Sequence, residues 1–161
     1  MISNSTFEHI RQDKKALSEV ARVIKKGGLF FITIPDPNLN QFLKRKLKNA
    51  TKVEMVNQRI AHSHYRSLDQ WQKIMVKNGL RVVSHKKYFS PKATQAWLNL
   101  FSMAVFKPYK RELWSYLKDS PYGKLMPKKI IIWLLNIYLL PLMKNIYHQQ
   151  GSWILIIAQK E

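Results

Sequence analysis

The sequence has no cysteine, only five glycines, and nine acidic residues against twenty-eight lysines and arginines. Without cysteine there is no disulfide framework, no thiolate zinc site and no cysteine nucleophile, in keeping with a reducing compartment. The glycines include no G-x-G, so no glycine-rich phosphate or nucleotide loop is encoded. Residues 1–10 are polar and carry Glu8 and His9, which excludes a secretory signal there. A cytoplasmic protein is the expectation. No apolar run reaches the roughly 20 residues of a spanning helix. The longest, residues 130–143 (IIIWLLNIYLLPLM), is interrupted by Asn136 and Pro141 and flanked by Lys128, Lys129 and Lys144. It reads as a buried or interfacial helix.

What is present suffices for one folded domain: 161 residues, 46% of them hydrophobic. The net charge of +19 favours anionic partners, either a membrane surface or nucleic acid. No RNA-binding motif accompanies the basic residues, so nucleic acid ranks behind an anionic membrane. A basic solvated surface, or a piece parted from a more acidic half, would carry the same charge.

Along the chain, Asp13 can cap a helix on which Leu17, Val20, Ala21 and Ile24 make one apolar stripe. Lys25 and Lys26 suit its negative end, and Gly27-Gly28 supplies a left-handed stop. Residues 29–34 (LFFITI) form a continuous apolar run, the pattern of a strand covered on both faces, which Pro35-Asp36-Pro37-Asn38 ends. Residues 41–60 are polar and basic, a helix or an excursion. Ser67 and Gln70 have capping-box spacing, with Leu68, Trp71, Ile74 and Met75 on one face and Asn78-Gly79 at the end. Residues 80–89 read as a strand near a sheet edge. Residues 91–149 read as helices punctuated by Pro108, Pro121-Tyr122-Gly123 and Pro127, before an apolar strand at 153–158. The alternation predicts an α/β sheet with helices on both faces.

Three stretches, in order, carry a resemblance. Ser3-Asn4-Ser5-Thr6-Phe7-Glu8-His9-Ile10 resembles an N-S-V-L-E-H-I segment. Residues 16–29, ALSEVARVIKKGGL, resemble A-L-x-E-I-x-R-V-L-K-P-G-G, with Lys26 at the usual proline. His64-Tyr65-Arg66-Ser67-Leu68, then Trp71 and Asn78-Gly79-Leu80, are similar to H-x-x-x-L-x-x-W-x-x-x-L-x-x-x-G-F. All three belong to class I S-adenosylmethionine-dependent methyltransferases of the type 11, ubiquinone-biosynthesis-like group, and the likeness covers roughly residues 3–89 and 152–160. It implies an α/β, partial Rossmann-like sheet, from the end of the fourth strand to the seventh, in a single domain truncated at its front. Residues 91–150 would be a helical insertion before the last strand, serving as a lid or facing a membrane.

The implied cofactor is S-adenosylmethionine, although its main binding motif is absent from the sequence. That motif is a glycine-rich turn after the first strand, with an acidic residue after the second. The resemblance puts Asn4 and Ser5 beside the methionyl part of the cofactor. It makes His9 and His64 the catalytic candidates, and Asp36, Asn38 and Tyr65 the residues facing the acceptor. Read without it, Glu8 and His9 charge a helix's first turn, Asp36 and Asn38 are turn residues, and His62 is a solvated loop histidine. No metal is expected, since methyl transfer needs none. His62 and His64, two apart with no nearby carboxylate, make a poor site.

The aromatic insertion, with Trp97, Trp114 and Trp133, suits an apolar pocket, so the acceptor is expected to be a small molecule, lipid-like, prenyl or glycosyl. A fifth strand without its outer neighbours would present an apolar edge, so a separately encoded front half or self-association is expected. The competing readings are an inactive methyltransferase remnant and a basic membrane- or RNA-binding module.

Overall fold

A mixed sheet of four strands organises the larger part of the computed structural model. Its strands are β1 (Ile2–Asn4), β2 (Leu29–Pro35), β3 (Leu80–Tyr88) and β4 (Trp153–Lys160), in spatial order β1-β2-β4-β3. β1 runs parallel to β2, with Ile2 opposite Phe31 and Asn4 opposite Thr33. β4 is antiparallel to both neighbours, pairing Ile156 with Ile32 and Ala158 with Val82, and a bulge at Val83 shifts the register along β3. The edge position expected of β3 is observed. The apolar run at 29–34, expected to lie bare at the other edge, is inside the sheet because β1 pairs with its backbone.

The description covers residues 1–107, 110–121, 127–144 and 146–161. They divide into two units, one of Met1–Phe89 with Tyr147–Glu161, the other Ser90–Ile146. In the first unit, the core lines one face of the sheet. Phe30, Ile32 and Ile34 of β2 and Ile154, Ile156 and Ala158 of β4 project onto it at the two-residue period of a strand. Phe31 and Thr33 on the opposite face are only half-buried, so within this unit β2 is not closed off on both sides.

Helix α1 (Asp13–Val23) lays Leu17, Val20 and Ala21 into that core, as their spacing predicts. Asp13, however, is the first helical residue and not the cap. Gln12 holds the cap position without a side-chain bond, because the Asp13 carboxylate is engaged by Arg66. The helix ends before the glycines expected to stop it, with Ile24 as an extended cap; Gly27, at φ +75°, turns the chain into β2 and donates its N–H to the Lys160 carbonyl at 2.8 Å.

The basic stretch forms two helices, α2 (Pro37–Leu47) and α3 (Ala50–Ile60). Lys48 breaks them apart in the left-handed region, and the Asn49 side chain caps α3 by accepting from the Lys52 N–H at 2.9 Å. Leu39, Phe42, Leu43 and Val53 are buried along this pair. Helix α4 (Leu68–Lys77) starts with the full capping box of Ser67 and Gln70 and buries Trp71 and Met75.

The second unit is helical: α5 (Pro91–Val105), α6 (Leu113–Asp119) and α7 (Lys128–Met143), with α5 against both others. The breaks expected at Pro108 and at Tyr122-Gly123 lie outside the described residues, as does the side chain of Trp114. α7 contains the apolar run 130–143 and has no buried residue; Trp133, Ile137 and Leu140 are 60, 54 and 59% exposed. The expectation of a buried helix therefore fails, and the interfacial alternative remains. No helix among the described residues is long and apolar enough to cross a membrane.

Candidate active site

The carboxyl ends of β1 and β2 lie side by side, the position at which open α/β sheets bind ligands. Asn4 closes β1, and its Oδ1 accepts the Thr33 hydroxyl from β2. Ser5 turns the chain at φ +46°, donating its N–H to the Thr33 carbonyl and hydroxyl at 3.0 and 3.1 Å. Asn4 and Ser5 are both exposed, so this polar turn is open to a ligand.

A 3-10 turn, Phe7–His9, follows. Phe7 anchors it, packing edge-on to Trp71 and tilted against Phe30. That anchor drives Glu8 inward, to 2% exposure, and leaves His9 outward. Glu8 and His9 thus belong to a separate turn, four residues before α1 begins, and do not charge its first helical turn. Burial raises the Glu8 pKa, against the lowering effect of its own backbone, of His9 and of Ser5.

The loop after α3 closes over this turn. Ser63 donates its N–H to the Glu8 carbonyl at 2.7 Å, and His9 Nδ1 meets the Ala61 carbonyl at 3.0 Å. His62 is half-buried, tied through Nδ1 to the Tyr65 hydroxyl at 3.1 Å, and that hydroxyl donates to Asn57 at 2.8 Å. His62 is therefore no solvated loop residue. Burial first, then the neighbouring His9, hold its pKa down to about 4. Burial and the Glu8 carboxylate push the Tyr65 hydroxyl up.

His9, His62, Tyr65, Asn57, Ala61 and Arg11 line a cleft of about 430 Å³. His64 is not among its walls: its Nε2 donates to the Ile10 carbonyl at 2.9 Å and lies 3.9 Å from the Asp13 carboxylate. Burial alone would raise the Asp13 pKa, but the Arg66 guanidinium, then His64, hold it below the ordinary value. Asp36 is 2% exposed; it caps α2 by accepting from the Asn38 N–H at 3.0 Å and pairs with Lys87 at 2.9 Å. The Asn38 amide donates to the Gly151 carbonyl at 3.2 Å.

The structure thus unites His9 and Tyr65 in one cleft, keeps Asn4 and Ser5 at the strand ends, and gives Asp36, Asn38 and His64 partners elsewhere. Sequence reasoning named Glu8 and His62 without giving them a site role, and missed Asn57 and Thr33. Glu8 and His62 carried a signal as titratable residues, Glu8 inside the first matched segment and His62 just before the third.

A family model described as a methyltransferase domain matches residues 1–85, just over half of the chain. The chain belongs to the methyltransferase-domain family.

Its α/β architecture and open four-stranded sheet match the Rossmann-like fold of class I methyltransferases. A structure assigned as a sarcosine dimethylglycine methyltransferase of Galdieria sulphuraria aligns with a TM-score of 0.54 at 16% identity, over 99% of this chain and 52% of that one. A methyltransferase structure from Bacillus halodurans gives 0.48 at 18% identity, over 99% of this chain and 68% of that one. Phosphoethanolamine N-methyltransferase 2 of Haemonchus contortus, solved with S-adenosyl-L-methionine, gives 0.48 at 15%, over 99% of this chain and 32% of that one. The methyltransferase chain spans about half the length of the Galdieria protein. No curated protein matches it.

The residues of this methyltransferase chain fit a sulfonium donor at one end only. The open turn of Asn4 and Ser5, backed by Thr33, suits a methionyl group. For the adenosine end the sequence offers no glycine-rich turn.

Proposed function

We propose that this chain forms the acceptor-facing part of an S-adenosylmethionine-dependent methyltransferase acting on a small molecule held in the cleft beside α3. The observation that carries the reading is that the polar strand-end turn, Asn4 and Ser5, leads within a few residues of chain to His9, which with His62 and Tyr65 walls the cleft. The donor, when bound, supplies an activated methyl group; the chain's own residues orient the acceptor and take its proton. His9 is suited to the second task. A carbonyl can only accept, so His9 Nδ1 carries the hydrogen toward Ala61 and Nε2 keeps a free lone pair. Tyr65 orients the acceptor, and His64 holds the loop through Ile10 and Asp13, a positioning role. Acceptor contact is not proposed for Asp36 or Asn38, whose side chains are spent on the α2 cap, Lys87 and Gly151.

The adenosine end requires strands beyond β1, whose outer side has no neighbour among the described residues. A complementary glycine-rich segment, in the same polypeptide or separately encoded, would pair there, and a second copy would compete for the same edge. The exposed apolar face of α7, between Lys128, Lys129 and Lys144, and the charge of +19 support contact with an anionic membrane from the cytoplasmic side. An acceptor of lipid-like, prenyl or glycosyl type follows from that location.

Calorimetry with S-adenosylhomocysteine tests the reading. The chain alone should bind weakly, with Kd above about 1 mM, some 4 kcal/mol or less. Joined to a glycine-rich methyltransferase half, it should bind at least about tenfold more tightly. Equal affinity in the two forms would refute the division of the site.

A further inference from the structure

We propose that Glu8, His9 and His62 form a binding site for a divalent transition-metal ion of the zinc class, with at least one coordination position open to the cleft. This goes beyond the methyltransferase reading and does not depend on it. The fold brings together two segments that sequence keeps apart, the Phe7–His9 turn and the loop after α3. Each of the three residues offers a ligand atom within 4.8 Å of the other two.

The hydrogen bonds around the histidines set their tautomers. His9 gives its Nδ1 hydrogen to the Ala61 carbonyl. The Tyr65 hydroxyl gives its own hydrogen to Asn57, so its oxygen receives the Nδ1 hydrogen of His62. In both rings the hydrogen sits on Nδ1, and Nε2 is left as a lone pair. This is how metal-ligating histidines are held: an outer partner fixes the ring and frees the other nitrogen.

Glu8 supplies the second, independent observation. It is 2% exposed, and neither carboxylate oxygen makes a hydrogen bond of full geometry, with only the Ser5 side chain and its own backbone N–H nearby. His9 Nε2 lies 4.0 Å from its Oε1. A buried carboxylate without a partner is costly, and buried charges are ordinarily paired or bound to metal. In a chain with three times as many basic as acidic residues, this one has been left unmatched.

Two imidazoles and a carboxylate favour zinc and its neighbours over magnesium or calcium, and three protein ligands leave the fourth position for solvent or a ligand oxygen. Tetrahedral coordination at about 2.0–2.1 Å needs donor atoms roughly 3.4 Å apart, so separations of up to 4.8 Å must close by up to about 1.4 Å on loading. The half-buried loop carrying His62 and the exposed His9 ring can supply that movement. A bound metal would occupy the lone pair that His9 otherwise offers as a base, so the two uses exclude each other.

The test is metal binding by the full chain without donor or acceptor. Co²⁺ added to metal-free protein should develop the visible d–d absorption of a four- or five-coordinate ion, saturate at one ion per chain, and be displaced by Zn²⁺. Glu8→Gln and His62→Gln should each weaken Co²⁺ at least about tenfold, and Tyr65→Phe, which spares the ligands and removes the outer partner, by about tenfold. His85→Gln, on β3, should change nothing. Circular dichroism of each metal-free variant separates ligand loss from unfolding. No d–d absorption in the parent, or absorption that survives both ligand substitutions in folded protein, would overturn the proposal.

Discussion

Arg66 holds the buried carboxylate of Asp13 with two hydrogen bonds, Nε to Oδ2 at 2.6 Å and Nη2 to Oδ1 at 2.9 Å, across 53 residues of sequence. The pair fastens the loop after α3 to the first residue of α1. His62, His64 and Tyr65 all ride on that loop, so the cleft depends on a contact outside it. Arg66→Ala would strand a charge that is 3% exposed, which should cost about 3 kcal/mol. Arg66→Lys should recover only part of this, because an ammonium cannot repeat the paired geometry. Urea unfolding checks both variants; an unchanged midpoint for Arg66→Ala would disconnect the pair from stability.

His62 should make stability fall in mild acid. Its pKa in the fold, about 4, lies below the ordinary 6.5. Its contribution is therefore full above pH 6.5 and is lost as the pH drops through about 4. Asp13, also lowered, holds its contribution to a pH below its ordinary 3.8. Glu8 is raised and acts in the opposite sense, its contribution fading as the pH rises through its shifted value. His62→Gln isolates the first effect, and its melting temperature should drop less between pH 7 and pH 4.5 than the parent's. The His62 ring proton should titrate near 4 by NMR.

Gly27→Ala tests the turn between α1 and β2. A Cβ there meets nothing within 4 Å, so any cost is that of φ +75° itself. About 1–2 kcal/mol is expected. At Gly28 a Cβ would lie 2.8 Å from the Lys25 carbonyl and the Ile24 side chain, and the loss should be larger. Denaturation midpoints rank the two.

Binding to anionic vesicles should depend on α7. Trp133→Glu and Ile137→Glu place charge on a face that is more than half exposed, and each should reduce co-sedimentation several-fold. Lys128→Glu with Lys129→Glu should reduce it further and flatten its salt dependence. Equal sedimentation of all variants would remove the membrane from the account.

Local chemistry made much of the fold legible. The stripe of Leu17, Val20 and Ala21, the Ser67–Gln70 box and the apolar run at 29–34 each reported their element directly, because one face or one cap decides it. The split at Lys48-Asn49 was written as a cap at Asn49 but was hidden inside a uniformly basic stretch. Asp13 misled, since an acidic residue at a helix start reads as a cap until Arg66, far along the chain, is brought to it. The cleft was less legible. Spacing paired His62 with His64, yet the fold turns His64 toward Ile10 and sets His62 beside His9 and Glu8. Nothing local foretells that, because the loop is held by residues far from it in sequence, Ser63 on the Glu8 carbonyl and Arg66 on Asp13.

In the proposed reaction this chain presents the acceptor to a methyl donor from the cleft beside α3. Transfer of labelled methyl from S-adenosylmethionine to a small-molecule and lipid extract, by the chain joined to a glycine-rich methyltransferase half, tests it most directly. Incorporation should appear, and His9→Ala should lower it at least about tenfold, the usual scale for losing a proton-transfer group being 10²–10⁴. Incorporation unaffected by His9→Ala and Tyr65→Phe together, or none at all from a folded joined protein, would contradict it.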